Sequence, residues 1–134
     1  MMKFNPDLIR DILIAVSNAI VPDEDGNVYP INPKELVASE LQKYPMNESM
    51  YWIRQLMDSD IIIKGPKYVD EPMHRIKDLS ISGYQFVSNT CKPSIWEEIR
   101  PQLIGLIISN IPEFIHRAIE IGGSIISQCS DIHR

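Results

Sequence analysis

Apolar side chains recur at every third or fourth position through the first half of the chain, which is the spacing of a helix with one buried face. The first stripe predicts a helix over residues 5–20 and contains Leu8, Ile9, Ile12, Leu13, Val16 and Ile20. Asn5 and Pro6 stand at its start, and a capping side chain followed by proline is typical of a first helical turn. Asn32 and Pro33 repeat that signal, and a third stripe predicts a helix over residues 47–59.

The pattern changes from helical spacing to short β-branched runs in the middle of the chain. The run "IIIK" ends at Lys64 and "HRIKDLS" begins at His74, so the sequence predicts two strands. Between them, "GPKYVDEP" is rich in proline and glycine, which indicates a turn. Three helices are therefore followed by a β-hairpin, and the predicted fold class is α+β with mostly helical content.

Further helices are predicted after the hairpin. Ser80 stands where it can cap one helix. Ser94 and Glu97 form the pattern of a capping box, and Asn110 precedes a last helix. Because glycine disfavours a helix interior, we expect this last helix to fray near Gly122 and its glycine neighbour.

The C-terminal third carries more apolar surface than one face of a small core can cover. Two helical stripes run from Ile99 to Ile126. We expect a homodimer through these helices, with its seam at Leu103, Ile107, Ile115 and Ile119. An extended core within one chain and an amphipathic membrane contact are the alternatives, and the four glutamates of this segment disfavour anionic lipid. We therefore predict a domain over residues 1–90 and a helical extension over residues 91–134, which packs on that domain or forms the dimer interface.

Composition narrows the class of protein. Hydrophobic residues make up 44% and charged residues 23% of the 134 residues, which is typical of a globular chain with one core. The formal net charge is -5, so the chain as a whole lacks the basic footprint of a general nucleic-acid binder. The basic residues are unevenly spread, however, because six of the 13 fall within residues 43–80, the segment that includes the hairpin.

Several classes of site are disfavoured by the sequence. Cys91 and Cys129 are far apart and have no metal-binding or redox spacing. His116 and Glu120 share a helix face, but a metal needs three or more ligands, so a solvent-exposed contact resembling an ion pair is expected there. No nucleophile–base pair, glycine-rich phosphate loop or cofactor motif stands out. The start has no signal-peptide pattern and no apolar run is long enough to span a membrane. A cytoplasmic non-enzyme without metal, cofactor or small-molecule ligand is predicted.

Three stretches carry a resemblance to a known family: "MKFNPDLIRDIL", "YWIRQLMDSDIII" and "DLSISGYQFVSN", the last followed by Trp96. Over roughly residues 2–110 the chain resembles the bacterial and phage family called domain of unknown function 2513. The resemblance implies a winged helix-turn-helix with added C-terminal helices. In this family, the segment that leaves the wing and begins the next helix carries a motif that corresponds here to Leu79, Ser80, Gly83 and Phe86. The chain departs from this pattern at Asp60, where such turns usually place glycine, and at Trp52, where a smaller or polar residue is expected. The motifs imply an architecture and no particular activity.

The third helix is the recognition helix that this resemblance implies. Its outer face carries the expected base contacts Asn47, Tyr51, Arg54 and Gln55. The expected phosphate contacts on the wing are Lys64, Lys67 and Arg75. Acidic residues share these two surfaces, namely Glu48, Asp58, Asp70 and Glu71. A solvated helix face, and hairpin lysines that only keep a strand edge soluble, are therefore the alternatives.

Two functions remain open from the sequence. The first is a DNA-binding transcriptional regulator that acts as a dimer on double-stranded DNA. The second is a winged-helix protein-interaction module without DNA binding, of phage or mobile-element origin as the resemblance implies. The aromatic pair Tyr51 and Trp52 suits a protein interface or a stacked base, although we favour packing on the first helix for Trp52.

Overall fold

The computed structural model describes residues 3–105 and 110–132 of the chain. Within them, six helices and one two-stranded antiparallel sheet make up the regular structure, so the chain is mostly helical α+β. Contacts divide the chain into two compact units, residues 1–80 and residues 81–134. This division comes earlier in the chain than the predicted boundary at residue 90, because the helix after the hairpin packs with the two last helices.

The helices of the first unit begin within one residue of the positions that the sequence indicates: α1 spans Pro6–Ala19, α2 spans Pro33–Glu40 and α3 spans Met46–Asp58. The side chain of Asn5 accepts the N–H of Leu8, and that of Asn32 accepts the N–H of Lys34. Both predicted caps are confirmed, and each satisfies a backbone donor that the helix leaves open. The inner faces of the three helices share a core that includes Leu8, Ile12, Val16, Val37, Ile53 and Leu56.

The chain then forms the predicted hairpin. β1 spans Ile62–Lys64 and β2 spans Ile76–Leu79, and the two strands pair antiparallel. Their register skips Lys77, which is an irregularity of the β-bulge type. The N–H of Gly65 donates to the carbonyl of Arg75 at 2.6 Å. The loop between the strands is therefore closed at its base by a backbone hydrogen bond.

A second segment pairs with β2 on the side away from β1. The N–H of Ile31, between α1 and α2, donates to the carbonyl of Ile76 at 2.9 Å, and the N–H of Ile76 donates back at 2.8 Å. Because a hydrogen-bonded antiparallel pair exchanges both bonds, Ile31 acts as a third strand of one residue. β2 is therefore paired on both sides at Ile76.

The turn from α3 into β1 depends on a left-handed backbone at Asp60. Its φ is 59°, the only positive φ of a non-glycine residue in the part of the chain that the structure describes. The N–H of Asp60 donates to the carbonyl of Met57, and that of Ile61 to the carbonyl of Leu56, both at 3.0 Å. These bonds form a Schellman motif. Glycine is usual at such a position because it adopts positive φ without a Cβ clash. Asp60 adopts the same left-handed backbone with a Cβ present.

The second unit is a group of three helices: α4 (Ile81–Thr90), α5 (Pro93–Ile104) and α6 (Ile111–Ile132). Asn110 caps α6, since its side chain accepts the N–H of Glu113 at 2.8 Å. The predicted cap at Ser94 is wrong, because α5 begins at Pro93 and Ser94 lies inside the helix. Proline at the first helical position already has the φ that a helix needs, so the start moves ahead of Ser94.

α6 continues through Gly122 and Gly123, so the predicted fraying is wrong. Gly122 is buried, and a Cβ placed on it would lie 2.8 Å from the backbone oxygen of Asn89 in α4. The side chain of Asn89 donates to the carbonyl of Ile119 at 3.1 Å, which fastens the two helices at this point. Glycine is therefore needed for the close approach of α6 to α4, and packing outweighs its low helix propensity.

Three aromatic side chains form the centre of the second unit. The ring centroid of Phe86 lies 6.3 Å from that of Trp96 and 5.8 Å from that of Phe114, and all three side chains are buried. One ring comes from each helix, so the three helices share a core. None of the helices in the described residues is both long and apolar enough to cross a membrane.

Replacing Asp60 by glycine should stabilise the protein by about 0.5–1 kcal/mol, because glycine removes the strain of a Cβ at positive φ. Urea denaturation measures the free energy of unfolding. Asp60→Asn measures the effect of the charge on stability separately from the effect of the Cβ, since it keeps the Cβ and removes a negative charge from the C-terminal end of α3. Ser59→Gly is the matched control: its φ is -94°, so glycine there should destabilise. Equal stabilisation by both glycine variants would contradict this account.

Gly122→Ala should destabilise the protein by about 1–3 kcal/mol, since the added Cβ meets backbone atoms of Asn89 that cannot easily move. Gly123→Ala is the matched control, because the nearest atom to its Cβ would be the Asn89 side-chain nitrogen at 3.7 Å. Alanine at position 123 should stabilise by up to about 1 kcal/mol. Thermal unfolding measures both changes. Shifts of the same sign and size in the two variants would argue against close packing at Gly122.

Candidate nucleic-acid interface

The four predicted base contacts lie together on the outer face of α3. They are spaced by one, three or four positions, which brings Asn47, Tyr51, Arg54 and Gln55 onto one side of the helix. The first three are exposed and Gln55 is half-buried. The opposite face is buried through Ile53, Leu56 and Met57. Core packing therefore determines which way the predicted residues face.

Two of these side chains already make hydrogen bonds within the protein. The side-chain oxygen of Asn47 accepts the N–H of Glu48 at 3.0 Å, in a first turn where Pro45 supplies no side-chain cap. The guanidinium of Arg54 donates to the carbonyl of Pro72 in the hairpin loop at 3.4 Å. This second contact links α3 to the hairpin. The sequence does not indicate it, because the path of an irregular loop follows no periodic pattern.

An aromatic group accompanies this face of α3. The ring of Trp52 lies 5.0 Å from that of Tyr51 and 5.4 Å from that of Phe4, and both contacts are edge to face. Trp52 is half-buried, whereas Tyr51 and Phe4 are each 43% exposed. Trp52 thus packs as expected, although its ring partner precedes α1. The sequence does not indicate a role for Phe4, because a single aromatic residue ahead of a helix start carries no periodic signal.

The three basic side chains predicted to contact phosphate differ in how available their charge is. Lys67 is exposed and has no ion-pair partner among the residues that the structure describes. Lys64 forms an exposed ion pair with Asp58 of α3, with 3.5 Å between Nζ and Oδ1. Exposed pairs of this kind are weak, so the charge of Lys64 remains accessible. Arg75 differs from both lysines because Glu71 binds its guanidinium group.

Glu71 and Arg75 form a two-pronged salt bridge in the hairpin. The Nε atom of Arg75 lies 2.9 Å from Oε1 of Glu71, and a terminal nitrogen lies 3.1 Å from Oε2. The guanidinium also lies over the ring of Tyr68, 4.9 Å from its centroid. The hydrogen bonds to Glu71 raise the pKa of Arg75 above its ordinary value. Arg75 is therefore charged, but a carboxylate neutralises its charge locally.

Asn32 connects this salt bridge to α2. Its Nδ2 atom donates to Oε2 of Glu71 at 3.2 Å, while its Oδ1 atom accepts the N–H of Lys34 at the helix start. Asn32 and Glu71 are 39 positions apart, so no sequence pattern indicates the contact. A surface depression beside it is lined by Tyr68, Asp70, Glu71 and Arg75. Its two carboxylates make it a poor site for an anion.

The first unit remains acidic as a whole, with nine basic and 13 acidic side chains in residues 1–80. Part of the negative charge lies in the loop before α2, where the N–H of Asn27 lowers the pKa of Asp23. Asp11 is paired with Lys43 of the same unit. Lys77 is exposed on β2 and was not assigned to the interface from the sequence. The available positive charge near α3 and the hairpin therefore amounts to a few side chains.

The predicted dimer seam includes positions that are buried in the single chain. Leu103 is 2% and Ile115 is 1% exposed, and Ile119 is half-buried. Ile107 lies outside the described residues. Ile104 is 66% exposed and is the most open apolar side chain of α5. The second unit therefore uses part of its double stripe internally and leaves part of it accessible.

His116 and Glu120 form the expected exposed side-chain contact on α6, with 2.9 Å between Nε2 and Oε1. Arg117 also lies near the same carboxylate, 3.7 Å from Oε2. Within the part of the chain that the structure describes, no group of three or more histidine, cysteine, aspartate or glutamate side chains is arranged to hold a metal.

The family model described as "Hypothetical protein (DUF2513)" matches residues 3–103. No curated protein and no solved structure matches the chain. The matched range begins before α1, includes α3 and the hairpin, and continues to the penultimate residue of α5. It therefore covers the whole candidate interface, and the resemblance noted in the sequence is confirmed. The chain belongs to the family of domain of unknown function 2513.

Proposed function

We propose that this protein is a cytoplasmic DNA-binding transcriptional regulator built on a winged helix-turn-helix. The order of elements in the first unit supports the assignment. α2 and α3 are joined by a short connection and followed by the hairpin, and Ile31 adds a strand segment between α1 and α2. In this arrangement α3 acts as the recognition helix and the hairpin as the wing.

The observation that carries the proposal is the polar outer face of α3, joined to a hairpin with accessible lysines. Arg54 can bind guanine with two hydrogen bonds, and the amides of Asn47 and Gln55 suit adenine. Lys64 and Lys67 suit the phosphate backbone. The hairpin is held to α3 by the contact of Arg54 with Pro72 and by the ion pair of Lys64 with Asp58.

Arg75 is the third predicted phosphate contact and the least available one. Its guanidinium is occupied by Glu71, so it contributes to DNA binding only to the extent that it leaves this carboxylate. Few accessible cations imply few phosphate contacts and a low affinity for DNA of arbitrary sequence. Under this proposal, most of the selectivity comes from base contacts made by α3.

The full-length protein should shift a subset of pooled genomic DNA fragments in a gel at low salt, and fewer of them at moderate salt. Phosphate contacts weaken as salt rises, whereas fragments that offer the right bases keep additional contacts. The same assay identifies the selected sequence. A protein that shifts no fragment even at low salt would end the proposal.

Arg54→Ala and Lys67→Ala should separate base contacts from phosphate contacts. R54A should weaken binding of a selected fragment by about 1–3 kcal/mol, and should weaken binding of arbitrary DNA by less. K67A should weaken both and reduce the slope of log affinity against log salt by about 0.9. Lys92→Ala is the control, since it removes the same charge from an exposed position of the second unit. Identical losses in R54A and K67A would count against base recognition by α3.

A protein-interaction module without DNA binding, of phage or mobile-element origin, is the second candidate function. Exposed apolar side chains on an acidic unit favour it. Phe4 and Tyr51 form an open aromatic edge, and Val69 is fully exposed in the hairpin loop. Aromatic side chains are frequent anchors of protein interfaces. The gel-shift result decides between the two candidates, because this one requires no DNA affinity.

We also propose that the chain forms a homodimer through its second unit. The double apolar stripe supports this, and a two-fold interface is the commonest closed arrangement for such a surface. Two wings related by a two-fold axis suit DNA half-sites about one helical turn apart. Leu103 and Ile115 pack internally, so Ile119 is the seam position, among those that the structure describes, whose side chain is most open to a partner.

Light scattering of the full-length chain at tens of micromolar should give the mass of a dimer. Ile119→Glu should shift the mass toward the monomer, since a charge at the seam loses its hydration on association. Ser127→Glu is the matched control, because it adds the same charge at an exposed position of α6. A monomeric mass for the unmodified chain would end the dimer proposal.

A further inference from the structure

The salt bridge between Glu71 and Arg75 is less exposed than the other ion pair of the candidate interface. The side chains of Arg75 and Glu71 are 30% and 16% exposed, against 45% and 57% for Lys64 and Asp58. Water and salt screen a less exposed pair more weakly. The two-pronged geometry also matches a carboxylate to a guanidinium. Glu71 therefore holds Arg75 more firmly than Asp58 holds Lys64.

Asn32 restricts the movement of Glu71. Its amide donates to Oε2 of Glu71, and its own position is fixed because its oxygen caps α2. The carboxylate cannot follow Arg75 toward a ligand without losing this hydrogen bond. Tyr68 lies against one face of the guanidinium and restricts it further. An anion that approaches the edge of Arg75 formed by Nε and the terminal nitrogen bound to Glu71 must therefore displace a carboxylate that is held in place.

We propose that Glu71 competes with DNA phosphate for Arg75 and so limits the affinity of the protein for DNA of any sequence. The inference rests on the proposed function and gives Glu71 a positioning role rather than a contact with DNA. Carboxylate and phosphate oxygens bind a guanidinium in the same two-pronged geometry, so only one of them occupies that edge of Arg75 at a time. Holding Arg75 back removes one phosphate contact, which corresponds to about 0.9 in the salt slope.

The test compares Glu71→Gln with Asp70→Asn, which remove one negative charge each from adjacent positions of the same loop. Asp70 is exposed and has no ion pair among the described residues, so it controls for the change in net charge. Binding of a duplex of arbitrary sequence is measured by fluorescence anisotropy across a series of salt concentrations. E71Q should bind more tightly, with a slope steeper by about 0.9, while D70N keeps the unmodified slope. Equal slopes for the two variants would overturn the inference.

Arg75→Gln tests the other side of the competition. In the unmodified protein R75Q should leave the salt slope unchanged, because Glu71 already holds the guanidinium. In a protein that already carries E71Q, R75Q should return both the affinity for DNA and the salt slope to the values of the unmodified protein. A slope shallower by about 0.9 for R75Q alone would show that Arg75 contacts phosphate freely, and would overturn the inference. This variant decides the question even if E71Q does not fold.

A measurement without DNA separates failure of this inference from failure of the proposed function. Inorganic phosphate is titrated while the NMR signal of the Arg75 Nε–H group is followed. The signal should shift in E71Q at phosphate concentrations that leave it unchanged in the unmodified protein and in D70N. The absence of a shift in E71Q, or an equal shift in all three, would overturn the competition. A protein that shows the difference and binds no DNA would lose the proposed function alone.

Discussion

The left-handed turn at Asp60 is the constraint on which the geometry of the candidate interface depends. It ends α3 and brings Ile61 to a point where its carbonyl accepts the N–H of Ser80 at 2.9 Å. The start of β1 and the end of β2 are thereby fixed at the C-terminal end of α3. The hairpin then returns close enough for Arg54 to reach the carbonyl of Pro72. One residue in an unusual backbone conformation thus brings the polar outer face of α3 and the lysines of the hairpin into a single surface.

That surface combines polar groups suited to recognising bases with sparse positive charge. Carboxylates pair with Lys64 and Arg75 of this surface, and the less exposed of the two pairs is anchored to α2 through Asn32. Proteins that depend on many phosphate contacts bind DNA of any sequence, whereas a surface with few such contacts depends on complementarity to particular bases. Under the proposed function, the acidic composition of the chain is therefore compatible with selective DNA binding at modest affinity.

The parts of the fold that could be predicted from the sequence are those with local signals. Asn5, Asn32 and Asn110 each cap a helix within three residues, and the stripe of α3 follows directly from the helical period. The wrong predictions involve competition or tertiary packing. α5 begins at Pro93, so Ser94 does not cap it as expected. The close contact with Asn89 favours glycine at position 122 inside α6. The same limit applies to the candidate site: the outer face of α3 follows from periodicity, whereas the partners of Arg54 and Glu71 depend on the path of an irregular loop.

The backbone hydrogen bonds between Ile31 and Ile76 join the two ends of a long stretch of chain. α2, α3 and most of the hairpin lie between these residues, so the stretch forms a closed loop. The entropic cost of closing a loop grows only slowly with the length of the loop. A single pair of backbone hydrogen bonds can therefore close a loop that contains two helices. Native proteins open in contiguous cooperative groups. α2, α3 and the hairpin should therefore exchange their amide hydrogens with solvent as one group, and the candidate interface should be lost or recovered as a whole.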